Sequence, residues 1–318
     1  MGRSYNEKVI DSITKIIPDN KELIPFLEEL LCLGKAAIYR RMNGYVSFSV
    51  EEVVKISQAL NLSLDYILKD EKSNKGVFDM SLIEPYNSEA AYANIIKNYV
   101  KKIKKLHASS NTYSYMALNL LPYMFYPSLE NMTKFNIFKW LYLMGNGVNK
   151  IPFSEAILSP ETRKIQDTAN AESCAIEETH ILISPLLFQT FINDIQYFRR
   201  ISLISDTDYS NLRNELHTVL DELENIMLNG CYKNGNKVII LLSNIDFLTS
   251  YVYFGSDDYE FVHFRICAAN SIDSDDPQIC AFKKNWIQCL MKVSTSISLC
   301  GELQRQKFIN KQREIIGY

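Results

Sequence analysis

Through the first seventy positions, apolar residues recur at helical spacing. Val9, Ile10, Ile13, Ile16 and Ile17 form one set, stopped by Pro18. Phe26, Leu27, Leu30 and Leu31 form a second, with Pro25 read as standing in the first turn of its helix. Ser49-Val-Glu-Glu52 has the form of a capping box, in which the serine accepts from an amide three residues on and the glutamate reaches back. Val53, Val54 and Leu60 continue that helix, and Ser63 caps a last short one carrying Leu64, Ile67 and Leu68. Lys69 to Gly76 is polar, lacks any apolar period and ends in glycine, as a linker does.

From about residue 88 the pattern predicts a longer helix. Ile96, Tyr99, Ile103 and Leu106 share one face, and Lys97, Lys101, Lys104 and Lys105 stand outside it. Further helices are predicted at about 129–144, 185–204 and 207–229. The period then changes from 3.6 to 2, giving strands over Lys237–Asn244, Phe247–Phe254 and Tyr259–Cys267. Gly255 to Asp258 joins the last two as a hairpin turn. Asp276-Pro277 opens a final helix, with an N-cap before proline at the first position. The predicted fold is α+β in two domains. An all-α domain spans 1–72, a linker 73–87, and a larger α+β domain with an antiparallel sheet of at least three strands 88–318.

Two features of the larger domain suggest surfaces. Alternation in the strands sets Tyr251 and Tyr253 apart from Val252 and Phe254, and His263 apart from Val262 and Phe264. Tyr251, Tyr253 and His263 are therefore the candidate small-molecule wall, unless helices cover that face. Over 277–298, Ile279, Phe282, Trp286, Leu290, Val293 and Ile297 form a stripe at steps of three and four. Such a stripe can pair with a second copy across a two-fold axis or pack on the domain's own sheet.

Composition narrows the class. The 318 residues carry 34 Lys or Arg against 37 Asp or Glu, so there is no bulk positive charge for coating by nucleic acid. The longest aliphatic run, Val238 to Leu242, is far too short to span a bilayer. The opening residues lack the apolar stretch of a secretory signal. Seven cysteines without a C-x-x-C pair suit reduced thiols, so a cytoplasmic protein without membrane contact is expected.

Residues 23–68 carry a family resemblance. Leu31-Cys-Leu-Gly-Lys-Ala-Ala-Ile-Tyr-Arg-Arg-Met-Asn-Gly44, then Ser49-x-x-Glu52, then Leu60-Asn-Leu-Ser-Leu-Asp65 resembles the helix-turn-helix domain of lambda-repressor-like (Cro/Xre-type) bacterial regulators. The matching positions are Leu27, Leu31, Leu33, Ile38, Gly44, Ser49, Leu60, Leu62 and Leu64. Three positions depart from the family. Glu28 replaces a small residue where two helices approach, Cys32 replaces the turn glycine, and Gly34 replaces a hydroxyl cap. The resemblance implies a transcriptional regulator that reads double-stranded DNA with a recognition helix at about 35–42.

On such a helix Ile38 and Met42 share the buried face, turning Lys35, Ala36, Tyr39 and Arg40 outward. Lys or Arg can bond guanine O6 and N7, and alanine admits a thymine methyl. Arg41, Tyr45 and Ser47 follow as contacts to backbone phosphate. The competing reading makes Lys35, Arg40 and Arg41 a solvated charged face. Residues 1–75 hold 11 Lys or Arg and 11 Asp or Glu, so a neutral module of this kind needs dimerisation for useful affinity.

Other motifs fall away. Gly230-x-x-x-x-Gly235-Asn236-Lys237 lacks the Lys-Ser/Thr of a phosphate loop, and Asp273-x-Asp275-Asp276 lacks the glycine and final glutamate of a calcium loop. The four histidines and the cysteines stand at no metal-ligand spacing. No cofactor, metal or catalytic chemistry is expected. The larger domain is expected to dimerise, to sense a small-molecule or protein effector, or both. The alternatives are a helix-turn-helix that binds a protein partner, as in toxin–antitoxin or phage control, and an enzyme carrying the domain for targeting.

Overall fold

The computed structural model describes residues 4–60, 62–68, 76–80, 88–126, 128–144, 151–266 and 271–317. The chain divides into two compact units, Met1–Val77 and Phe78–Tyr318. The first unit contains α1 (Tyr5–Ile16), α2 (Asn20–Leu31), α3 (Lys35–Met42), α4 (Val50–Leu60) and α5 (Leu64–Leu68). Three of the starts have a side-chain cap. Ser4 and Glu7 form a capping box on α1, and the Asp19 side chain accepts from the Lys21 amide at α2. Asp19 thus starts α2 earlier than proline placement suggests, leaving Pro25 in its second turn. Ser49 and Glu52 cap α4 reciprocally, at 2.8 and 3.3 Å. Ile13, Leu23, Leu27, Ile38 and Ile56 lie at the centre of the core.

The second unit is built on an eight-stranded sheet of mixed direction. Its strands are β1 (Asp79–Met80), β2 (Tyr113–Leu118), β3 (Glu178–Ile183), β4 (Lys237–Leu242), β5 (Tyr251–Gly255), β6 (Glu260–Arg265), β7 (Ser271–Ser274) and β8 (Thr295–Ser296), in the order β1-β7-β6-β5-β2-β3-β4-β8. The helices are α6 (Ser88–His107), α7 (Glu130–Met144), α8 (Pro160–Cys174), α9 (Gln189–Arg200), α10 (Asp206–Asn229), α11 (Pro277–Lys292) and α12 (Glu302–Ile316).

The expected antiparallel arrangement of at least three strands is present in β1, β7, β6, β5 and β2, and the sheet continues beyond it in mixed direction. Strands β2, β3 and β4 are parallel, and helices fill the connections between them. The sequence neighbours β4 and β5 do not pair: β4 lies beside β3, and β5 runs antiparallel to β2. The reason is the Val238–Leu242 run, whose apolar residues on both faces suit an interior parallel strand. The β5–β6 hairpin is as expected. Part of the expected 73–87 linker is a strand instead, because β1 pairs with β7 and Asp79 meets Lys102 at 3.5 Å. Residues 73–75 and 81–87 lie outside the described residues.

The sheet's two faces are covered unequally. Helices α6, α7, α9, α10 and α12 bury Met116, Leu118, Ile181, Ile183, Val238 and Phe254 on one side. On the other, among the described residues, α11 is the helix that crosses β2, β5 and β6, through Cys280, Ile287 and Leu290. The apolar stripe read along 277–298 is therefore rotated from its expected role. Phe282, Trp286 and Val293 are exposed, the helix ends at Lys292, and Ile297 enters the opposite core.

Candidate nucleic-acid interface

The turn between α2 and α3 sets the geometry of the small unit's surface. Cys32 ends α2 in the left-handed region, φ 53° and ψ 42°, with its amide donating to the Glu28 carbonyl. Gly34 is the N-cap of α3 and supplies no side-chain bond, leaving that helix start open to solvent. Ile38 is fully buried. Lys35, Ala36, Tyr39 and Arg40 are exposed together, as the helical spacing requires. These four are the residues expected to face bases.

The segment after α3 is held in place. Gly44 turns the chain at φ +75°, and the Val46 amide donates to the Arg40 carbonyl at 3.1 Å. Buried Phe48 donates its amide to the Asn6 side chain at 3.0 Å, tying this loop to α1. Tyr45 and Ser47 are thereby left exposed on a fixed loop, with Tyr45 at 77%.

Arg41 departs from the expected arrangement. Its guanidinium binds Glu52 twice, at 2.8 and 3.0 Å, and only 18% of its side chain is exposed. Burial raises the Glu52 carboxyl, but the bonds from Arg41 and the Ser49 amide and the Arg41 charge outweigh it, holding that carboxyl below the ordinary range. The fork–fork pair makes Arg41 a strut between α3 and α4. Sequence reading missed Glu52 as a partner because eleven residues and a loop separate the two.

The side chains of the expected small-molecule wall do not share one sheet face, although Tyr251 and His263 both border one cavity of the larger unit. Tyr253 pairs with Val262 on the α11 side, donating its hydroxyl to Glu260 at 2.7 Å. Tyr251 is also on that side, beneath the Lys283 ammonium at 5.0 Å from its ring. His263 pairs with Val252, which turns it to the opposite face against Tyr99 of α6. There its Nδ1 lies 2.8 Å from Asp273, which Lys102 also binds at 2.8 Å. The alternation was right within each strand and wrong between them, since the cross-strand register was not readable. The Gly230–Lys237 segment is the end of α10 and a turn, and Asp276 caps α11.

Residues 26–67 match a helix-turn-helix family model. The match runs from α2 through α5 and is consistent with the lambda-repressor-like (Cro/C1-type) domain that the Leu31–Gly44 segment resembles. No curated protein and no solved structure matches the chain. The helix-turn-helix domain thus has its turn at Cys32–Gly34 and its second motif helix at α3. Among the described residues, no helix is long and apolar enough to cross a membrane, and no cluster of three His, Cys, Asp or Glu is placed for a metal.

Proposed function

We propose that the chain is a cytoplasmic transcriptional regulator that binds double-stranded DNA as a homodimer, with α3 in the major groove and the larger unit serving effector sensing or dimerisation. One observation carries the reading. Within the segment matched to the helix-turn-helix model, α3 presents Lys35, Ala36, Tyr39 and Arg40 as one continuous exposed face while Ile38 anchors it in the core. A cationic and small-residue face on a rigid helix is suited to base edges, and Tyr45 and Ser47 flank it on a tethered loop suited to phosphate. No catalytic chemistry is proposed.

The full chain, titrated against a random duplex pool at several salt concentrations and then against the sequence it enriches, tests this reading. Affinity is expected to fall steeply with salt, as counterion release demands. Arg40→Ala and Lys35→Ala should each weaken binding to the enriched site by about 1–3 kcal/mol and relax its sequence preference. A folded chain that binds no duplex at low salt overturns the reading in favour of a protein partner for the same face.

A further inference from the structure

A cavity of about 530 Å³ lies in the larger unit, between the sheet and α6, α7, α8 and α9. That volume is within the roughly 300–1,000 Å³ of small-molecule sites. Its floor is the end of β2 at Leu118 and the neighbouring parts of β5 and β6 at Val252, Phe254 and His263. β2 is the strand from which the sheet proceeds parallel on one side and antiparallel on the other. The cavity lies beside the carboxyl end of β2, where ligand crevices of open α/β sheets are found.

The surrounding packing gives no reason for a hole. Immediately beside the cavity, Phe135 packs on Phe191, Phe198 and Phe153 with ring centroids 5.1, 5.9 and 6.3 Å apart. Interiors packed this closely rarely leave voids larger than a water molecule. The lining is mainly aliphatic and aromatic carbon, and its charged groups gather toward one end. Asn136 donates to the Tyr126 hydroxyl at 2.7 Å, Arg265 also donates to that hydroxyl, and one turn along α7 Lys139 binds Asp194. Among the described lining residues the charged side chains are Lys139, Arg265 and Asp194, with Lys139 bound to Asp194. A phenol oxygen that accepts twice still has its own proton to donate, and a guanidinium carries five donors. Together they form a donor group suited to an acid.

We propose that this cavity binds a small organic acid with an apolar body, its acidic head at Arg265 and Tyr126 and its body between β2, β5, α6 and α9. The proposal is independent of the DNA reading, since a chain that ignored DNA would still hold the ligand.

Fluorescence titration of the full chain with two dyes tests it. The probes are 1-anilinonaphthalene-8-sulfonate, an apolar body with an anionic head, and N-phenyl-1-naphthylamine, nearly the same body without charge. Each should bind at one saturable site. Val252→Trp, which fills the floor, and Thr190→Trp, which narrows the exposed rim, should each weaken both dyes at least about tenfold. Arg265→Gln should weaken the sulfonate dye about tenfold, the loss of one charge-assisted bond, and leave the neutral dye within about twofold. Arg265→Lys should recover part of the sulfonate affinity. Should Val252→Trp fail to fold, the rim variant decides. Absence of saturable binding in the parent, or binding untouched by a folded filling or rim variant, overturns the site. Sulfonate binding indifferent to Arg265→Gln overturns the acidic head.

Discussion

At Cys32 the chain takes a left-handed conformation that costs an L-residue about 1–2 kcal/mol and a glycine almost nothing. The thiol is exposed, and its 3.7 Å approach to the Glu29 carbonyl is too weak to offset that cost. Cys32→Gly should therefore stabilise the small unit by roughly 0.5–1 kcal/mol, after the entropy a glycine loses on folding. A raised denaturation midpoint in the variant would show it, and an unchanged or lowered one would mean the turn relaxes at no cost. Asp273 gives a prediction in pH. Burial raises its carboxyl, but the bond and charge of His263 and the Lys102 ammonium outweigh this and hold it below 3.8. A depressed folded value stabilises above the unfolded value and is lost as pH falls through the folded one. Asp273→Asn should thus cost about 1–3 kcal/mol at neutral pH. The gap between the two proteins should close as melts are taken down through pH 3.8 and below. A gap constant across that range would assign the loss to packing instead of charge.

At the scale of elements, what the sequence revealed depended on which side chains are buried. Helices α3, α4, α7 and α10 follow their apolar spacing and α1 ends before Pro18, whereas α2 starts at Asn20 behind the Asp19 cap, earlier than Pro25 suggests. The elements that escaped reading bury polar groups. On β2 and β3, Ser114 and Thr179 are fully buried and bond each other at 3.1 Å, while Tyr113, Tyr115 and His180 face the thinly covered side. That inverts the alternation by which a half-buried strand is recognised. Helix α8 buries Thr162, Gln166 and Ser173, and α12 buries Arg305 and Gln312, which bond the carbonyls of Ile297 and Pro185. The exposed face of α3 was legible because it follows from Ile38 alone. The Arg41–Glu52 strut and the cavity were not, because both join segments distant in sequence. The rotation of α11 yields its own prediction. Ile287→Ala should cost about 2–5 kcal/mol, since it opens a void against β2, β5 and β6. Trp286→Asp, half-exposed on the outer face, should leave the chain folded with a loss below about 1 kcal/mol. Unfolding by Trp286→Asp would show that the outer face is covered in solution.

Across the whole molecule, charge is divided in a way that bears on how DNA could be held. Residues 1–75 are neutral, so the excess of three acids lies entirely in residues 76–318. Neither part supplies a long-range positive field, and the Arg41 cation is already bound to Glu52. One copy of the reading face therefore offers few contacts to phosphate, and each contact changes the salt slope by only about 0.9. In the proposed homodimer two such faces act together, on half-sites one duplex turn apart, about 34–36 Å. Binding of the full chain to its enriched duplex should be steeper than one-to-one in protein concentration. Sedimentation of the complex should give two protomers per duplex, and deleting one half-site should remove most of the affinity. Arg41→Ala should lower stability while leaving the salt slope of that complex unchanged, whereas Arg40→Ala should weaken it on every half-site. A single protomer bound with undiminished affinity to an isolated half-site would show that one copy of α3 and its flanking loop is sufficient.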